Sequence, residues 1–149
     1  MDLQNPGNKM STTTDSPVGT VYVLDEPKAI EKKFKSAVTD SGSEVVRGKD
    51  KPGISNLIEI YAVVTGKTMA DVETEFAGQQ YGGFKQAVAD AVIEYFAPVQ
   101  AKYAELRADE AALEAVLAAG AEKASAIAAP IVANARDRMG LGSPIRAGL

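Results

Sequence analysis

The residues Lys9-Met10-Ser11-Thr12-Thr13 form the most suggestive short constellation in the chain. A Lys in a Gly/Ser/Thr loop brings an ammonium to a phosphate, and the neighbouring hydroxyls and backbone amides add donors. The stretch is not a P-loop, because GxxxxGK[ST] is absent. From residue types alone it fits an ordinary polar surface loop, the commoner case, or a phosphate contact. The chain has neither Cys nor His. That excludes disulfides, thiolate and imidazole metal sites, His-based triads and the usual general base near neutral pH, so no metal site is expected. Any chemistry rests on Lys, hydroxyls, carboxylates and backbone groups.

The carboxylates come in pairs: Glu73 with Glu75, Asp90 with Glu94, Asp109 with Glu110. None stands beside a cue for a pocket, and they read as solvated helix faces. Glu59, between Ile58 and Ile60, reads as an exposed position of an amphipathic helix. Phe84, Tyr95, Phe96 and Tyr103 follow helical spacing, which favours core packing over base stacking. Arg136 and Arg138 fall in the last turns of a helix, where the dipole favours them; phosphate contact is the alternative.

Charge is uneven. The total is 16 basic against 20 acidic residues, net −4. Residues 28–35 carry four Lys and one Glu, residues 59–122 four basic and eleven acidic, and residues 123–149 four basic and one acidic. The total does not predict a nucleic-acid binder, but a local basic face can meet phosphate while the acidic remainder repels it. Lys28, Lys32 and Lys35, spaced four and three apart, share one helix face. With Lys123, Arg136 and Arg138 they are the candidate nucleic-acid contacts on charge and spacing. A solvated face is the commoner explanation of such charges.

These groups need elements to hold them. A length of 149 residues suits one domain with a real core. On this reading the apolar stretches break before eighteen residues, so no membrane span is expected. The N-terminus lacks the pattern of a secretory signal, and a soluble, cytoplasmic protein is expected. Residues 1–20 read as loop, and Val21–Leu24 is too short for a confident strand.

Asp25 is placed to cap a helix over Pro27–Val38, with Ile30, Phe34, Ala37 and Val38 as its apolar face. A polar connector, Thr39–Gly53, leads to a helix lined by Leu57, Ile58, Tyr61 and Val64 and ended by Gly66. Thr68, with Asp71 three residues on, caps a short helix that stops near Gly78. Tyr81-Gly82-Gly83 reads as a turn before a long helix, Phe84 to Arg107, kinked at Pro98. Asp109 caps a further helix, which should break at Gly120. An Ala-rich helix over residues 121–139 follows, bent at Pro130 and anchored by Ile127, Ile131, Val132 and Met139. The expected architecture is an all-α helical bundle behind an irregular N-terminal loop arm. It divides into residues 1–26 as loop and linker, 27–140 as helical domain, and 141–149 as a tail.

Three stretches together resemble the C-terminal portion of bacterial tryptophanyl-tRNA synthetase, a class I enzyme family. They are DLQNPGNKMSTT, similar to that family's KMSKS loop and its lead-in; KKFKSAVTDS, Lys32 to Ser41; and KPGISNLIEIY, Lys51 to Tyr61. The segment Gly120-Ala121-Glu122-Lys123-Ala124 and the MGLG of Met139 to Gly142 also fit. KMSxx alone is a weak hint; the second and third stretches in this order are specific. The resemblance implies that Lys9, Met10, Ser11, Thr12 and Thr13 form a loop that closes over ATP, with its Mg²⁺, when tryptophan is activated to tryptophanyl-adenylate. Lys9 matches the first Lys of the motif and is the residue implied in catalysis.

Thr12 stands where the motif has its second Lys, and Thr13 where it has its last Ser. One cation near the triphosphate is thereby lost, and another Lys, Mg²⁺ or helix dipoles must balance the developing charge. The family's Rossmann half, with its HIGH-type signature and tryptophan pocket, is not visible here: there is no His and no GxGxxG. The implied roles are ATP-loop closure and recognition of the anticodon of tRNA(Trp) by the helical domain, in a homodimeric family. The chain alone is expected to be inactive in adenylate formation and to hold neither ATP nor Mg²⁺ by itself. The alternatives are a non-catalytic helical interaction module derived from a synthetase, and a split enzyme completed by a separate Rossmann chain.

Overall fold

The computed structural model describes residues 1–11 and 17–142. Among the described residues the fold is all-α, with no strand. Its helices are α1 (Pro27–Lys35), α2 (Pro52–Thr65), α3 (Met69–Glu75), α4 (Tyr81–Arg107) and α5 (Glu110–Arg138). The chain divides into two compact units, Met1–Lys102 and Tyr103–Leu149.

The first unit holds the core. Pro27 and Pro52 open α1 and α2, where a missing N–H costs nothing and φ is already helical. Ile30 and Phe34 of α1, Ile54, Leu57 and Ile58 of α2 and Phe84 and Val88 of α4 are buried in one hydrophobic cluster. Three aromatic rings meet within this cluster. Phe76 lies 5.2 Å from Tyr61 and 4.7 Å from Phe84, centroid to centroid, in edge-on geometry. Gly66 ends α2 at φ 70°, the left-handed conformation that favours glycine. Thr68 and Asp71 form the expected capping box, each side chain bonded to the other residue's backbone N–H.

One helix cap, one helix start and one helix end differ from expectation. Asp25 does not cap α1: the N-cap is Glu26, whose side chain makes no cap bond, and Asp25 is engaged elsewhere. α1 stops at Lys35, short of the expected Val38. Val38 instead donates its N–H to the Leu3 carbonyl at 2.8 Å, tying the end of the helix to the N-terminal arm. α4 begins at Tyr81, so Tyr81-Gly82-Gly83 is its first turn and not a separate one. The turn falls earlier, at Gly78 (φ 78°).

The expected apolar stripe of α4 is buried only through Val92. Tyr95 and Tyr103 are 51% and 47% exposed, and Phe96 is half-buried, because the helix outruns the core that α1–α3 supply.

In the second unit Asp109 caps α5 as expected, accepting from the Ala112 N–H at 2.9 Å. The helix then runs unbroken through Gly120 and Pro130. Gly costs about 1 kcal/mol relative to Ala in a helix interior. Twelve alanines in the same 29 residues offset that penalty. The expected anchoring by Ile127, Ile131, Val132 and Met139 is not found: no residue of α5 is buried, and these four are exposed. The expectation that no segment is long and apolar enough to cross a membrane is also corrected, because α5 meets that test by length and composition. Glu122 and Lys123, near its middle, would each cost about 3 kcal/mol at a bilayer centre.

Candidate phosphate and nucleic-acid surface

The Lys9 loop leaves and returns through two limbs that are fastened to the first unit. On the outgoing limb the buried Asp2 carboxylate accepts from the N–H of Gln4 (2.7 Å) and Asn5 (2.8 Å), and the Asp2 N–H donates to the Asn8 carbonyl (2.8 Å). This is the local Asp-to-backbone bonding that suits a turn around Pro6-Gly7. The buried Asn56 of α2 holds the same limb from below. It donates to the Met1 carbonyl at 3.1 Å, and its oxygen accepts from the Met1 ammonium at 2.8 Å.

The return limb crosses at Gly19, whose carbonyl accepts from the Leu3 N–H at 2.8 Å. Packing there is tight enough that a Cβ on Gly19 would sit 2.2 Å from the Asp2 carboxylate. Lys9 itself is exposed, while Met10 and Ser11 are half-buried. Thr12 and Thr13 lie outside the described residues.

α1 sorts its four lysines by direction. Lys28, Lys32 and Lys35 are exposed on the outward face, as their spacing predicts. Lys35 approaches Glu31 one turn earlier at 3.6 Å. Lys32 borders a cleft of about 350 Å³ that is also lined by Pro17, Val18 and Ala29. Lys33 turns inward, and its ammonium meets the Asp25 carboxylate at 2.6 Å and the Thr20 carbonyl at 2.8 Å. It also lies 4.8 Å from the centre of the Tyr22 ring, in cation–π range. Sequence reasoning missed Lys33, Asp25 and Asn56. The one available signal for Lys33 was its spacing of four from Ala37, which is buried.

The cations of the second unit do not form one patch. Lys123 is exposed and lies thirteen residues before Arg136, about 20 Å along the helix axis at 1.5 Å per residue. Arg136 donates to the carbonyls of Leu141 (3.2 Å) and Gly142 (3.1 Å), closing the C-terminal turn. Arg138 donates to the Asn134 side chain at 2.8 Å.

Most of the paired acids have local partners, Asp90 accepting from the Gln86 side chain at 2.8 Å. Arg47 holds Glu73 through its guanidinium and its backbone N–H, which lowers the Glu73 carboxyl below the usual range. Glu75 pairs with Lys67 at 2.7 Å. Glu59 is exposed, as expected. In the connector, burial pushes the Asp40 carboxyl up, but bonds from the Gly42 N–H and the Tyr81 hydroxyl and the charge of Lys51 outweigh it, and the net shift is downward. Burial first, and the Asp40 bond second, push the Tyr81 phenol up to about 12. Burial lowers Lys85, whose ammonium donates to the Ala37 carbonyl at 2.7 Å. The first unit thus presents exposed ammonium groups beside a fastened loop, a surface suited to oxyanions.

Residues 1–97 match the family of class I tRNA synthetases for W and Y, and the chain belongs to that family. Similar proteins within it include tryptophan--tRNA ligases. The chain is 49% identical over 144 residues to the tryptophan--tRNA ligase of Oceanobacillus iheyensis, covering 95% of this chain and 43% of that protein. It is 42% identical over 141 residues to tryptophan--tRNA ligase 2 of Streptomyces avermitilis, covering 93% and 42%. The crystal structure of tryptophanyl-tRNA synthetase from Mycoplasma pneumoniae superposes with a TM-score of 0.75 at 27% identity, over 96% of this chain and 44% of that one. The chain spans less than half the length of the relatives it matches.

Proposed function

We propose that these residues are the C-terminal part of a tryptophan--tRNA ligase, supplying the ATP-closing loop and contacts to tRNA(Trp). The observation that carries this is that the fastened return limb of the Lys9 loop, at Pro17 and Val18, borders Lys32 of α1. Lys9 is exposed, and Lys28 and Lys32 stand exposed on a helix whose next lysine ties down the return limb. Lys9 would offer its charge to the triphosphate of ATP, together with Mg²⁺. Met10, Ser11, Thr12 and Thr13 would complete the loop. Lys28, Lys32 and Lys35 would neutralise tRNA phosphates, and Lys123, Arg136 and Arg138 are secondary candidates. Base-specific reading of a single-stranded anticodon also needs stacking and edge contacts.

Tryptophan, homodimer formation and cytoplasmic location belong to the same proposal. A tryptophan pocket and the HIGH-type histidines would have to come from residues outside this chain, which has no His. The test is filter binding of tRNA(Trp) and of a non-cognate tRNA at two salt concentrations, with ATP–pyrophosphate exchange measured in parallel. Salt-dependent binding that prefers tRNA(Trp), with no exchange above background, is the expected result. Absence of tRNA binding at low salt would leave a helical interaction module as the function. A clear exchange rate would overturn the proposed division of labour.

A further inference from the structure

We infer that Lys33 is a positioning residue for the Lys9 loop: it fixes the return limb from which the loop presents Lys9, and is itself withdrawn from ligand binding. Its service to phosphate chemistry rests on the function proposed above; its grip on the limb does not.

Three observations support this. First, the ammonium is fully used. Two of its hydrogens go to the Thr20 carbonyl and the Asp25 carboxylate, and its remaining face lies over the Tyr22 ring. The Lys33 and Asp25 side chains are only 14% and 17% exposed, so solvent competes weakly for the pair.

Second, the acceptor at Thr20 lies directly after the crossing of the two limbs. Gly19 accepts from Leu3, and the Thr20 hydroxyl reaches the Ser11 carbonyl at 3.4 Å. Holding Thr20 therefore holds both limbs. Third, Asp25 also accepts from the Tyr22 N–H at 2.9 Å. The same carboxylate thus shapes the turn that leads into α1 and receives Lys33. The lysine on the preceding residue of the helix, Lys32, could not reach these groups, because it points outward.

The test uses the full chain as wild type, Lys33→Met, Lys33→Arg and a control, Lys35→Met. Amide hydrogen exchange is followed by NMR at Leu3 and Tyr22 on the limbs and at Leu57 and Phe84 in the core. In Lys33→Met the limb amides should exchange at least ten-fold faster, and the core amides should change less than two-fold. Lys35→Met should match wild type, and Lys33→Arg should restore most of the protection, since a guanidinium can hold a carbonyl and a carboxylate together.

Unchanged limb exchange in Lys33→Met would overturn the inference, and so would an equal acceleration in limb and core. Should Lys33→Met fail to fold, Asp25→Asn decides between the same outcomes, because it weakens one arm of the grip and leaves the lysine in place. A separate filter-binding titration of the wild type with tRNA(Trp) tests the function on which the phosphate role rests. Absence of binding there counts against that function, whatever the exchange experiment shows.

Discussion

The Tyr81 hydroxyl lies 2.9 Å from both carboxylate oxygens of Asp40, across 41 residues of chain. The bond pins the connector between α1 and α2 to the first turn of α4. A hydrogen bond to a charged acceptor is worth about 1.5–3 kcal/mol, and partial exposure of Asp40 reduces that. Tyr81→Phe should therefore destabilise the first unit by about 1 kcal/mol in urea unfolding.

The pH dependence has a definite sign. The folded state holds the Tyr81 proton up to about 12, against an ordinary 10. That contribution is complete below pH 10 and is lost as pH rises through about 12. The Asp40 carboxyl is lowered, so its contribution is present above its ordinary range and is lost as pH falls through its folded value. Tyr81→Phe should remove the alkaline loss and weaken the acid one. Identical alkaline limbs in the two proteins would contradict the assignment.

Gly53 links two of the sequence stretches that carry the family resemblance. A Cβ there would lie 2.1 Å from the Val38 carbonyl oxygen, so the start of α2 packs directly on the backbone that follows α1. Backbone cannot swing aside as a flexible side chain can. Gly53→Ala should cost about 1–3 kcal/mol by overpacking and lower the melting temperature by several degrees. An unchanged melt would show that the two segments slide apart without penalty. Phe84→Ala, which empties the centre of the aromatic cluster, should cost about 3–5 kcal/mol and serves as the scale.

What the sequence revealed was what local pattern decides. Thr68 with Asp71, Gly66 and Asp109 were legible because a cap needs only its own turn. Ile30, Phe34, Leu57 and Ile58 were legible because burial follows the 3.6-residue period. Tyr95 and Tyr103 were misjudged because a period shows that a stripe exists, not how far its partner extends. Gly120 was misjudged because neighbouring alanines outweigh one weak residue.

The spacing set Lys33 apart from Lys28, Lys32 and Lys35, but its role was not legible, since charge alone does not show which ammonium finds a carbonyl and a carboxylate. Asn56 was invisible for a related reason: its partners lie 54 and 55 residues away. Of the candidate surface, the exposure of Lys9 and of Lys28, Lys32 and Lys35 was readable, and the fastening behind them was not.

α5 has no buried residue, so its helicity rests on alanine propensity, its Asp109 cap and its two C-terminal arginines. Such support is local, and local structure opens easily. Amide exchange in the middle of α5, at Ala118 to Ala128, should be at least 100-fold faster than at Leu57 and Ile58 of α2. Equal protection would mean that something covers this helix in solution.

Lys28 and Lys32 separate an electrostatic surface from decoration. Both are exposed on the outward face of α1, while Lys33 of the same helix is committed to Thr20 and Asp25. If the outward pair neutralises tRNA phosphates, Lys28→Gln with Lys32→Gln should weaken binding to all tRNAs alike. It should also lower the slope of log K against log salt by about 1 per lysine. Thermal stability should be unchanged, because neither side chain contributes to the core. Lys33→Gln should do the reverse, disturbing the limbs while leaving the salt slope nearly as it was. A double variant that binds tRNA with the wild-type slope would remove α1 from the nucleic-acid surface.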